Sequence, residues 1–170
     1  MKILYIHYLN FKSKRSNAVE QTELGLKKYF PIGNFHAVNF RFPITRFHKR
    51  GKYDAIIFGP TFLRFRFNDK LNNKVYKKLD FLLESKAIKI ARPQDEYDHC
   101  SRLDGFFDYF KVDYIFSIFP DDKNLLYPKS SNNSKILKGY TYYLNQKIIS
   151  SFINPKQFGK RIIDVGYRSK

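Results

Sequence analysis

Acids are scarce in this chain. Fifteen Asp and Glu stand against thirty-two Lys and Arg, a formal net charge of +17 over 170 residues. Tryptophan is absent and cysteine occurs once, at Cys100. A lone cysteine excludes an internal disulfide framework and a cysteine-rich zinc site, and a reducing, cytoplasmic setting is the simplest expectation. No run approaches the roughly 18 apolar residues of a membrane-spanning helix. The opening "MKILYIHYLN" has no small-residue cleavage site after it, so it reads as a first strand rather than a signal peptide. No Gly-x-Gly-x-x-Gly, phosphate-loop or RNA-recognition signature occurs, which disfavours those nucleotide and RNA-binding classes.

What is present is enough apolar sequence, 43%, for one domain with a real core. Short apolar runs recur at 2–8, 35–40, 53–59, 87–91, 112–119, 135–140 and 161–167. Several are near-continuous, as in parallel strands covered on both faces. Helical spacing lies between them. Asn17 and Glu20 form a capping pattern ahead of Val19, Leu26 and Phe30. Leu71, Val75, Leu79 and Leu82 repeat at helical intervals, as do Leu103, Phe106, Phe107 and Phe110, and Leu144, Ile148 and Phe152. The basic link 41–52 reads as a loop. Strands alternating with helices predict an α/β fold: a single Rossmann-like open sheet, mostly parallel, of six or seven strands with helices on both faces.

The scarce acids gather in one place, "ARPQDEYDHC" at 91–100, where a strand is predicted to end. Ligands of such sheets bind outside the carboxyl ends of the strands, so the run has three readings. As a metal site, Asp95, Glu96, Asp98 and His99 offer hard ligands, but the spacing fits neither a calcium loop nor a helical zinc motif; no metal is expected. As an acid/base site, Asp95 or Glu96 would be the base. As structure, the acids would serve the N-terminus of the helix at 101–110, with Ser101 and Asp104 as a capping pair. His7, ending the first strand, is a further catalytic candidate against a reading as a hydrogen-bonded filler. Arg64 and Arg66 follow another strand end, where two guanidinium groups can grip a diphosphate or simply be solvated.

"YDAIIFGPTFLRFR", "KIARPQDEYDH", "VDYIFSIFPDDKNLLYP", "LKGY" and "RIIDVGYRSK" follow one another in a way that resembles the N-terminal half of bacterial GT-B fold glycosyltransferases of the polysaccharide-locus type. The Pro-Gln-Asp-Glu-Tyr run carries most of the likeness. The resemblance implies that residues 1–170 are the acceptor-side domain of an enzyme moving a sugar from a nucleotide sugar to a polysaccharide or lipid-linked acceptor. The C-terminal donor domain would lie outside this chain, leaving the chain inactive alone. Gln94, Asp95, Glu96, Tyr97, Arg64 and Arg66 would then face substrate, with no cofactor. Gly59 departs from the pattern, since a histidine is expected there.

The charge favours an anionic partner, although the abundance of Lys, Asn, Ile, Tyr and Phe also fits AT-rich coding. Basic segments at 12–15, 45–52 and 63–66, interleaved with Phe42, Phe47, Phe62 and Phe65, suggest peripheral attachment to an anionic membrane on its inner face. The alternative function is a non-catalytic basic binding domain for nucleic acid or another anion, with nucleic acid disfavoured. A response-regulator module is disfavoured too, because "YIHYLN" offers no paired acids.

Overall fold

The computed structural model describes residues 1–10, 22, 23, 25, 27, 30 and 33–139. Six strands form one sheet: β1 (Ile3–His7), β2 (Phe35–Asn39), β3 (Ala55–Phe58), β4 (Ile88–Ala91), β5 (Tyr114–Ser117) and β6 (Lys135–Lys138). Every neighbouring pair is parallel, in the order β2-β1-β3-β4-β5-β6. This is the expected α/β, Rossmann-like architecture. The seventh run at 161–167, the helical pattern at 144–152 and the basic segment 12–15 lie outside the described residues, and of the pattern at 17–30 only residues 22, 23, 25, 27 and 30 are described.

The continuous apolar runs are explained by two-sided burial. All five residues of β1 and all four of β3 are buried. Leu4, Ile6, Ile56 and Phe58 face a large core that includes Leu63, Val75, Leu79, Phe106 and Phe110. Ile3, Tyr5, Ala55 and Ile57 face a smaller one with Phe35, against which Phe30 and Ile90 pack. The links after β2 all run in one direction along the sheet, so fixed crossover handedness puts them on the face of the larger of these described clusters.

That larger face holds α1 (Arg46–Arg50), α2 (Pro60–Leu63), α3 (Asp69–Leu79), α4 (Cys100–Tyr109) and α5 (Lys123–Leu126), with short 3₁₀ turns between them. Helix α3 opens on Asn68, whose side chain accepts from the Leu71 N–H, and buries Val75 and Leu79 as its spacing predicts. In α4, Leu103, Phe106 and Phe107 are buried, and Phe110 beyond its end is too. The link 41–52 differs from expectation. It contains α1, which buries none of its residues; a periodicity read from apolar spacing had nothing there to detect.

Candidate functional site

The strand order reverses at β1, so β1 and β3 diverge into loops on opposite sides and the carboxyl edge opens there. Local bonds brace this edge. The Gly59 N–H donates to Ile6 O (2.9 Å) and the Tyr8 N–H to Thr61 Oγ1 (3.0 Å). Beside it a narrow cleft is lined by Thr22, Pro60, Arg92, Gln94, Phe116 and Ile118. Its volume is about 20 Å³, space for about one oxygen-sized atom.

Two buried carboxylates flank the cleft, each tied to a tyrosine. Glu23 is fully buried. Its Oε2 accepts from Tyr5 Oη (2.6 Å) and its Oε1 from the Thr61 N–H (2.6 Å). Burial pushes the Glu23 carboxyl up, and the donated hydrogen bonds and Arg92 oppose that rise. Burial, then the nearby carboxylate, also pushes the Tyr5 hydroxyl far up, so it remains a donor. Gly59 belongs to this cluster: a Cβ there would stand 2.5 Å from Tyr5 Oη and 2.6 Å from Glu23 Oε2. At the position where the family resemblance leads one to expect a histidine, any side chain would therefore require Tyr5 and Glu23 to shift.

Glu96 is the second carboxylate, also fully buried. Its Oε1 accepts from Ser117 Oγ (2.9 Å) and the Ile118 N–H (2.6 Å), and its Oε2 accepts a short hydrogen bond from Tyr127 Oη. The loop after β4 is thereby tied to the end of β5 and to the segment after α5. Burial and Glu96 push the Tyr127 hydroxyl far up.

The acid run does not cap α4. The N-cap is His99, without a side-chain cap bond, and the first turn of the helix holds no acid. Ser101 lies inside the helix rather than at its start. Asp104 instead accepts from Ser130 Oγ and the Ser130 N–H, both at 2.8 Å, closing a distant turn. Each acid in the run has a separate cause. Asp95 and His99 adopt left-handed backbone, φ 51° and 53°, a conformation in which Asp and His are enriched among non-glycine residues. Glu96 turns inward, and Asp98 pairs with His99 Nδ1 at 2.7 Å.

The two arginines after β3 do not share a face. Arg64 is exposed. Arg66 is fully buried and donates to Leu63 O (2.9 Å), Gln94 O (2.6 Å), Asp95 O (2.8 Å) and Asp98 O (2.9 Å). Its fork is the scaffold of the 94–98 loop, so the expected diphosphate grip by the pair does not form. His7 is buried at the end of β1, its ring stacked 6.2 Å from that of Tyr5. Tyr97 points outward, 62% exposed, with its ring 6.3 Å from that of Phe119.

Among the described residues no three His, Cys, Asp or Glu gather as metal ligands, and no helix is long and apolar enough to cross a membrane. The expected aromatic insertion set is divided. Phe42 and Phe47 are exposed, but Phe62 and Phe65 are core residues. A separate open groove of about 470 Å³ is lined by Lys2, Arg46, Phe47, Arg50, Gly51 and Lys52. Because Lys2 precedes β1, this groove lies by the amino edge of the sheet, opposite the loop at 63–66. The basic segments thus do not share one rim.

Sequence reading missed Glu23, Ser117 and Tyr127. A signal existed for Glu23: Tyr5 sits inside a continuous apolar strand, and a buried tyrosine hydroxyl needs an acceptor. No family model, curated protein or solved structure matches this chain.

Proposed function

We propose that the chain is the acceptor-side domain of a GT-B glycosyltransferase, with the saccharide acceptor lying along the carboxyl edge beside the 92–99 loop. The observation that carries this reading is the rim of the cleft. Tyr97 and Phe119 are exposed aromatics that touch edge to face. They stand close in sequence to Gln94 and Ile118, which line the cleft. An amphipathic aromatic held on a rigid loop offers a flat apolar face for sugar C–H groups and polar neighbours for hydroxyls. The loop is rigid for stated reasons: Arg66 fixes its carbonyls and Glu96 pins its centre. The family resemblance and the all-parallel sheet support the same assignment. The nucleotide-sugar site would belong to a second domain.

Saturation-transfer NMR tests the reading. Neutral oligosaccharides should receive magnetisation from the chain, Tyr97→Ala should remove most of it, and nucleotide sugars should receive little. Nucleotide sugars that bind at this edge while oligosaccharides do not would refute it. The second reading, a basic anion-binding domain, is favoured by the groove of Lys2, Arg46, Arg50 and Lys52. It predicts polyanion affinity that falls steeply with salt and is lost in Arg46→Glu/Arg50→Glu.

A further inference from the structure

The group at the cleft with an unused donor is Arg92. Its backbone N–H donates to Phe58 O (3.1 Å), extending the β3–β4 ladder and fixing where the side chain leaves the sheet. Arg92 lines the cleft with Pro60, Pro93 and Gln94. Its Nη1 is fully buried and has no hydrogen-bond partner. None of the ion pairs among the described residues includes Arg92. A buried donor left without an acceptor is costly and uncommon in native structures, and calls for a cause.

The neighbouring charge does not supply that acceptor. Glu23 acts on Arg92 only through space, while its two oxygens accept from Tyr5 and Thr61. Burial also pushes the Glu23 carboxyl towards its neutral form, which weakens it as a counter-charge. The walls of the cleft, Pro60, Pro93, Phe116 and Ile118, are apolar and strengthen whatever electrostatic attraction forms there. The cleft, about 20 Å³, has room for about one oxygen-sized atom, and Gln94 on its lining is exposed.

We propose that this cleft is an oxyanion site, in which the Arg92 guanidinium takes an oxygen of a ligand phosphoryl or carboxylate group while the rest of that group lies beside Gln94. The identity of the ligand rests on the acceptor-side reading: the acceptor would be a saccharide carrying a negative charge, either a sugar phosphate or an acidic sugar. The site itself rests on Arg92 and the cleft alone.

The test is a ¹⁵N NMR titration of the whole chain, following Arg92 Nε and the amides of Gln94 and Ile118, at constant ionic strength. The probes are inorganic phosphate, diphosphate, acetate, glucuronate and a neutral oligosaccharide. The expected result is saturable shifts at the cleft with at least one anion, phosphoryl and carboxylate probes telling the two sources apart. Arg92→Lys, checked as folded by its amide spectrum, should weaken binding roughly tenfold or more because it loses the guanidinium fork. Arg64→Gln, on an exposed neighbour, should not. Absence of saturable shifts in the wild-type chain would overturn the proposal, whatever the variants do. So would shifts confined to Lys2, Arg46, Arg50 and Lys52, or unchanged affinity in a folded Arg92→Lys. Binding of phosphate or acetate without binding of glucuronate or oligosaccharide would uphold the site and remove the acceptor reading. Oligosaccharide binding without anion binding would do the reverse.

Discussion

Glu96 offers the sharpest test of whether the acid run is architecture or chemistry. Its carboxylate accepts from Ser117 Oγ, the Ile118 N–H and Tyr127 Oη, and Glu96, Ser117 and Tyr127 are fully buried. Glu96→Ala strands two buried hydroxyls and a partly buried amide. Each stranded donor costs roughly 1–3 kcal/mol, so the three together cost about 3–9 kcal/mol. Against a total stability of about 5–15 kcal/mol for a domain, that is a severe loss. Glu96→Gln is milder. Its amide oxygen still accepts from Ser117 and Ile118, and the Tyr127 hydroxyl can rotate to accept from the amide nitrogen. Only charge assistance is lost, costing about 1–2 kcal/mol. At roughly 2–4 °C per kcal/mol for a chain of this size, thermal melts should fall by about 2–8 °C for Gln and by about 6–36 °C for Ala. Tyr127→Phe should resemble Glu96→Gln, and the double variant should show less than the sum, because both remove the same bond. Melts of both Glu96 variants within about 1 °C of wild type would refute this reasoning. Joined to abolished transfer when the same changes are made in a two-domain enzyme, such melts would return Glu96 to the role of catalytic base.

Three further outcomes follow from the same geometry. The Glu23 carboxyl is raised from an ordinary value of 4.5 by burial, so the folded chain holds its proton more tightly than the unfolded chain; stability is greatest below about pH 4.5 and falls as pH rises through the folded value. Melts across pH should therefore show the wild type losing ground to Glu23→Gln above that point and not below it, and a parallel pair of curves would contradict the assignment. Gly59→Ala should cost about 1–3 kcal/mol by overpacking against Tyr5 and Glu23, with partial recovery in Gly59→Ala/Tyr5→Phe; an unchanged urea midpoint would show that the cluster is looser than described. Arg66→Lys cannot span the four carbonyls the guanidinium joins and should lose about 2–4 kcal/mol, with proteolysis rising first within 93–99; cleavage elsewhere with that loop still protected would count against its scaffold role.

The sheet was legible because burial on both faces leaves a signature in each strand separately. "LYI" and "AIIF" are apolar regardless of which face each residue meets. Helix α4 was legible for a similar reason, its aromatic stripe falling at helical spacing. The candidate site was only partly legible. The run 94–99 was located, but its bonds join residues far apart in the chain, Glu96 to Tyr127 and Arg66 to Gln94. No local pattern encodes which buried tyrosine meets which acid. Arg64 and Arg66 read from sequence as sharing one face, whether gripping a diphosphate or solvated, because both follow the same strand end. The 3₁₀ turn over Arg64–Phe67 instead sends one arginine out and the other in.

These particulars explain why a chain so short of acids concentrates them behind β4. A loop at the carboxyl edge must keep one shape to present a binding surface, yet it has no ladder of its own. Its backbone carbonyls point inward and need donors, which Arg66 supplies from within the core. Ser117, Ile118 and Tyr127 point donors back towards the loop, and Glu96 is the acceptor they share. A buried cation and a buried anion thus close the loop from its two sides, each through hydrogen bonds to neutral groups rather than to the other. Burying either charge is expensive unless its bonds are complete. That expense makes alternative loop conformations, in which some of those bonds are missing, costly as well. Outside this framework Tyr97 is 62% exposed, and Arg92, on the cleft lining, leaves Nη1 without a hydrogen-bond partner. It is these two residues, rather than the acids that first drew attention, that the proposed ligand would meet.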